Sequence, residues 1–355
     1  MFNPQRLILG RKRRKMTARA LAGAIGVSPI TISRLENGAN EPEVDTVDAL
    51  ADALAFPRAF FFAEDVDELP AGAASFRSLS SMSAKERDAA LSAGVIAYLF
   101  HDWVAERFNL PEGEIPDARE EATPEAAARI VRTYWGLGEQ PISNMVRLLE
   151  SKGVRVFSLC EDTKNVDAFS CWRGDRPFVF LNTFKSTERS RFDAGHELGH
   201  LVMHRHGAPQ DSRQAESEAD RFASAFLMPA DDVASRIRHV PGLDSLVEYK
   251  RRWGVSVAAL NYRLHKLGIV SEWQNRSLNV ELSARGYRRQ EPAGLPPETS
   301  ALWPQIFTAL WQDRITREDI ANELNIPPAE LDMILRHLSG PPAMPSEQSA
   351  KLYLV

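Results

Sequence analysis

Hydrophobic positions along this chain recur first at helical spacing, then every second residue, then at helical spacing again. Residues 3–14 read as an amphipathic helix built on Leu7 and Ile8. Thr17 has the side chain to cap a second helix reaching Ile25, and Gly26 supplies the left-handed turn after it. Ser28, followed by Pro29 in the first turn, opens a third helix through Asn37, closed by Gly38. A fourth spans about Val44 to Leu54, with Val47, Leu50, Ala51 and Leu54 on one face, and Phe60-Phe61-Phe62 closes this head. Pro70 to Ser75 reads as a linker. Helices then follow from Ser83 (a capping box with Glu86), over 124–135, and from Pro141 to Lys152. The period shortens to two for three strands at 154–159, 168–172 and 177–182, with Gly174-Asp175 as the last turn. Helical spacing returns across residue 196, from Gln214 to Pro229, and near 231–238, 243–252 and 256–267. A last small unit occupies 301–338. The pattern predicts an α+β fold that is predominantly α: a five-helix head, a helical domain with a small three-stranded sheet, and a small helical C-terminal unit. The expected boundaries are 1–65, 75–275 with its core at 140–270, a linker at 276–300 that is Pro-rich from 291, and 301–345.

The chemistry concentrates in His196-Glu197-Leu198-Gly199-His200. On a helix, residues i and i+4 share a face, so both imidazoles can close on one metal with Glu197 beside them. Phe192, Ala194, Leu198, Leu201 and Val202 surround the motif with apolar positions, which predicts a buried helix. Gly195 and Gly199 are poor helix formers and imply close approach of another backbone or of the metal site. His204 lies too far along the axis from His196 to join the ligands, and together with His206 reads as helix-end polarity or hydrogen bonding near the site. A catalytic zinc needs a third protein ligand. The run from Gln214 to Met228 presents Ala219, Phe222, Ala223, Phe226 and Leu227 on one face, and Glu216 and Asp220 share another. Glu216 could bind metal while Asp220 orients an imidazole; Glu218 is the second choice.

These residues, with Glu216-x-Glu218-Ala219-Asp220-Arg221-Phe222-Ala223 and the closing Leu227-Met228-Pro229, resemble the ImmA/IrrE family of zinc metallopeptidases over about residues 140–270. The resemblance implies a gluzincin-like site with His196, His200 and Glu216 as ligands and Glu197 as acid/base. The ligand set suits zinc, and manganese as well. In peptidases of this general type an edge strand pairs with the extended substrate. The strand ending at Leu181-Asn182, with Phe180 and Asn182, is the candidate, beside its reading as a plain core strand.

The 355 residues are 44% hydrophobic and 26% charged, ordinary for a soluble globular protein. No signal peptide and no apolar run of membrane length are evident, so a cytoplasmic location without membrane contact is expected. Cys160 and Cys171 give no disulfide framework and read as free thiols. The net charge of −5 is unevenly spread: residues 1–40 hold eight basic residues against Glu36 alone, giving +7, and the rest carries −12. A basic head on an acidic body fits a phosphate-bearing partner. Residues 4–60 resemble the Cro/C1-type (XRE) helix-turn-helix family through Ala22, Val27-Ser28, Ile32 to Gly38 and Pro42, departing from it at Ala18. That resemblance implies a helix from Ser28 entering the major groove. Arg11, Lys12, Arg14, Thr17, Ser28, Ile30, Thr31, Ser33 and Arg34 are the expected contacts to double-stranded DNA.

Together these features predict a DNA-binding regulator, dimeric on a palindromic operator, whose zinc peptidase domain cleaves a repressor, another partner or itself in a stress response. Two alternatives remain: a non-hydrolytic sensor of zinc, peptide or metabolite, and an antitoxin-like binding protein that holds a toxin.

Overall fold

The computed structural model describes residues 1–69, 82–159, 168–205, 212–240 and 242–339, with the side chain of Ser212 left out. The expected linker at Pro70–Ser75, Cys160 and His206 lie outside the described residues. Sixteen α-helices and one three-stranded sheet are present among them. No described helix is long and apolar enough to cross a membrane.

The head consists of α1 (Pro4–Arg13), α2 (Ala18–Ile25), α3 (Pro29–Glu36), α4 (Val44–Leu54) and a 3-10 turn at Arg58–Phe62. Its caps form as the sequence predicts. Thr17 Oγ1 accepts from Ala20 N at 3.0 Å and Ser28 Oγ from Thr31 N at 3.1 Å. Gly26 takes φ +72, a left-handed conformation that costs a residue without Cβ little. Leu7, Leu21, Ile32, Leu50, Leu54 and Phe60 fill the core of this unit.

Helix α5 (Ala84–Ala105) is buried on nearly every side, and α1 packs against it. Ser83 and Glu86 close its capping box. Helices α6 (Pro124–Tyr134) and α7 (Met145–Ser151) lead into β1 (Arg155–Ser158), β2 (Ala168–Arg173) and β3 (Arg176–Leu181). The sheet order is β1-β3-β2, with β1 parallel and β2 antiparallel to β3. Both faces are covered. Phe178 and Phe180 turn toward α5, where Tyr98 meets Phe178 at 4.6 Å and Phe169 stacks on Phe180 at 4.5 Å. Each such fully buried ring contributes roughly 1.5–3 kcal/mol. The register puts Ser170 opposite Val179, on the face of the sheet away from these rings. Against that face lies α8 (Thr187–Met203), which contacts β2 and β3.

Helix α9 (Ser212–Leu227) runs antiparallel along α8 and forms the most extensive helix pair of the molecule; α10 (Ala230–Arg236), α11 (Leu243–Trp253), α12 (Val257–Lys266) and α13 (Glu272–Ala284) follow. The stretch 276–300 is not a free linker. Its first residues continue α13, and Glu291, Leu295 and Glu298 bond to Val257 N, Glu188 and Arg191. Leu278 and Leu282, one turn apart, bury a face of α13, while the residues after it are held largely by these polar bonds.

The last unit, α14 (Leu302–Gln312), α15 (Arg317–Glu323) and α16 (Pro328–Ile334), docks on the rest of the chain. Trp303 Nε1 donates to Val156 O of β1 at 3.0 Å, and Trp103 Nε1 of α5 donates to Glu323 at 2.7 Å. Glu330, fully buried, accepts from Arg13 Nε at 2.7 Å and pairs with Arg14 as well. The C-terminal unit thereby joins the head to the sheet.

Candidate metal centre

The site is built where α8 and α9 approach most closely, and two glycines permit that approach. A Cβ on Gly199 would stand 3.1 Å from Phe222 Cδ1 and 3.2 Å from Ala219 Cα; one on Gly195 would stand 3.4 Å from Ala223 Cβ. The apolar face of α9 predicted from spacing is the face that meets them, with Ala219, Phe222 and Ala223 buried. This contact brings the start of α9 alongside the motif of α8.

Three donors converge there: His196 Nε2, His200 Nε2 and the carboxylate of Glu216. The two nitrogens are 3.1 Å apart, His196 Nε2 lies 3.3 Å from Glu216 Oε2, and His200 Nε2 lies 3.6 Å from Glu216 Oε1. Tetrahedral zinc with bonds of about 2.0–2.1 Å holds its ligands roughly 3.3 Å apart, so these residues fit such an ion. Two imidazoles and one carboxylate leave a fourth position open, as catalytic rather than structural sites do.

Burial works against a charge on His196, but its hydrogen bonds to Asp220 and Glu216 outweigh this and hold its pKa up at about 10. Burial likewise works against the Glu216 carboxylate, yet His196 and His200 hold it well below the usual carboxylate range.

Around these three stands a second ring of side chains. His196 Nδ1 lies 2.9 Å from Asp220 Oδ1, the pairing expected of an orienting carboxylate. Glu218 does not reach the donors but meets His204 Nε2 at 3.0 Å, and His204 Nδ1 meets His200 Nδ1 at 3.0 Å. Glu197, 1% exposed, accepts from Ser170 Oγ at 2.6 Å on Oε2. Sequence reasoning left Ser170 unremarked inside a strand. The alternation within β2 was the available signal, since it turns Ser170 to the face opposite Phe169 and Cys171.

The substrate strand requires a correction. Phe180 and Asn182 belong to or follow β3, which lies in the middle of the sheet and is hydrogen-bonded on both sides. It has no free edge for a peptide. Phe180 also faces the α5 side, stacked on Phe169, and Asn182 Oδ1 accepts from Phe184 N. Among the described residues, β2 pairs with β3 alone, and this strand, with its outer edge open, lies beside α8. Cys171, on β2, is a buried free thiol bonded to Tyr98, and burial pushes its pKa up to about 12.

In the head, Ser28, Ile30, Ser33 and Arg34 are exposed on α3 and Thr31 is half-buried beside them. The arginines at the end of α1 are engaged within the protein. Arg11 grips Glu36 through Nε and Nη2 and donates to Met16 O. Arg14 donates to Leu54 O and Ala55 O, stacks on Phe56 at 4.6 Å and pairs with Glu330. Both guanidiniums have partners within the chain. Lys12 is half-buried, and Thr17 is exposed while capping α2.

Residues 8–61 match the family model described as helix-turn-helix, and residues 149–265 match the peptidase M78 model described as IrrE N-terminal-like domain. No curated protein matches the chain. The two matches fall on the segments where the sequence resembles the Cro/C1-type and ImmA/IrrE families, and they support a DNA-binding regulator with a peptidase-like domain.

Proposed function

We propose that this chain is a zinc-dependent peptidase that acts on a protein and answers through its DNA-binding head. The carrying observation is the convergence of His196, His200 and Glu216 with Glu197 buried next to them. When bound, the cation supplies Lewis acidity toward a peptide carbonyl and acidifies a water. Glu197 takes the proton and later delivers it to the leaving amine. Ser170, donating to Glu197 Oε2, keeps that carboxylate turned toward the sheet side of the site. An extended segment of a repressor, of another regulatory partner or of a second copy lies along the outer edge of β2, where strand pairing orders the substrate. The exposed face of α3 reads the major groove, and two copies bind a palindrome. Cleavage during stress changes transcription.

The test uses a peptide library with Zn2+ and a mass-spectrometric readout. The parent cuts, and Glu197→Gln loses about 10²–10⁴-fold in rate while keeping its zinc. Equal cutting by that variant contradicts the mechanism. Zinc binding without cutting by the parent supports the sensor reading in its place.

A further inference from the structure

We propose that His204 and Glu218 form a hydrogen-bond relay that fixes the tautomer and ring orientation of His200, making both positioning residues for the metal and neither a ligand. The proposal rests on the reading of His196, His200 and Glu216 as ligands.

A neutral imidazole carries one proton, so it can offer one nitrogen as a lone-pair donor only while the other is N–H. His200 turns Nε2 toward His196 and Glu216. Its proton then belongs on Nδ1, and that proton needs an acceptor. His204 Nδ1 stands 3.0 Å away and accepts if its own proton sits on Nε2. His204 Nε2 in turn faces Glu218 Oε2 at 3.0 Å, and an ionised carboxylate only accepts. Gln214 Nε2 donates to the other oxygen of Glu218 at 2.8 Å, which holds the carboxylate in place. Every bond in the chain His200→His204→Glu218 has one sense, and that sense leaves Nε2 of His200 free for a metal.

Backbone geometry makes the relay available. His204 is the cap of α8, where its N–H still bonds to His200 O at 2.9 Å, so its ring falls one turn beyond His200 on the same face. Its side chain is only 7% exposed. Both of its nitrogens are engaged, which leaves none for the ion. The other ligating imidazole, His196, reaches its carboxylate directly through Asp220. The two ligands are thus oriented by different means: Asp220 in one step, and Glu218 in two through His204. Outer partners of this kind typically change metal affinity by about 10–100-fold.

The experiment measures Zn2+ affinity by competition with a chromogenic chelator, with far-UV circular dichroism of the metal-free proteins as the check on folding. His204→Phe is expected to weaken Zn2+ binding by about 10–100-fold. His204→Gln, whose amide can accept from His200 and donate to Glu218, restores part of the loss. Glu218→Ala, at a half-exposed position, weakens binding without threatening the fold and decides the matter if His204→Phe does not fold. Nitrogen-15 spectra of the metal-free parent should show His200 protonated on Nδ1, and His204→Phe should shift that population. Unchanged affinity in His204→Phe and Glu218→Ala overturns the relay while the ligand reading stands. A parent that binds no Zn2+ overturns both.

Discussion

The α8–α9 pair and helix α1 each bring together several charged or ligating side chains, and they use them in opposite ways. On α8 and α9, acids and imidazoles face one another across partners 14 to 24 residues apart and surround a central point. At α1, Arg11 pairs with Glu36, 25 positions on, whereas Arg13 and Arg14 share Glu330, 317 and 316 positions away. Where the partner comes from the far end of the chain, a basic run in sequence becomes structural glue in the fold.

This contrast is breakable, most severely at Glu330. Removing it leaves Arg13 buried and Arg14 short of a partner, so Glu330→Ala should cost about 3–5 kcal/mol in urea unfolding. A loss near zero would mean that the C-terminal unit rests on the head without holding it. On the other side of the comparison, Gly199→Val tests whether the helix pair is set by close approach. The added side chain meets Phe222 and Ala219, and overpacking of this kind costs about 1–3 kcal/mol. Zn2+ affinity should fall with it; a variant that keeps both would separate the glycine from the geometry of the site. Within the head, Arg34→Ala should weaken binding to duplex DNA by about 1–3 kcal/mol. Arg11→Ala, by contrast, should lower the unfolding midpoint more than it changes the salt dependence of DNA binding. The reverse order would return α1 to the phosphate-contact role that its charge suggested.

What was legible in the sequence follows the same division. His196, His200, Glu216 and Asp220 could be placed because two helices with predictable faces carry them. The caps at Thr17, Ser28 and Ser83 formed for the same reason, each resting on a bond to a residue three positions on. The three strands were visible, but their order was not. Nothing in the alternation of residues 177–182 says that β3 is central, and strand order decided which strand has an edge for a peptide and that Ser170 meets Glu197. The anchoring of 291–300 was equally hidden, because polar pairs such as Arg191 with Glu298 leave no hydrophobic period.

Everything proposed for this molecule depends on α8 and α9 folding into a metal site whose third ligand is Glu216. Calorimetric titration of Zn2+ into the metal-free parent, Glu216→Ala and Glu218→Ala addresses it most directly. One tight site per chain is expected in the parent, with weaker binding in Glu218→Ala and the largest loss in Glu216→Ala. Parent-like binding in Glu216→Ala, or no saturable site in the parent, would contradict it.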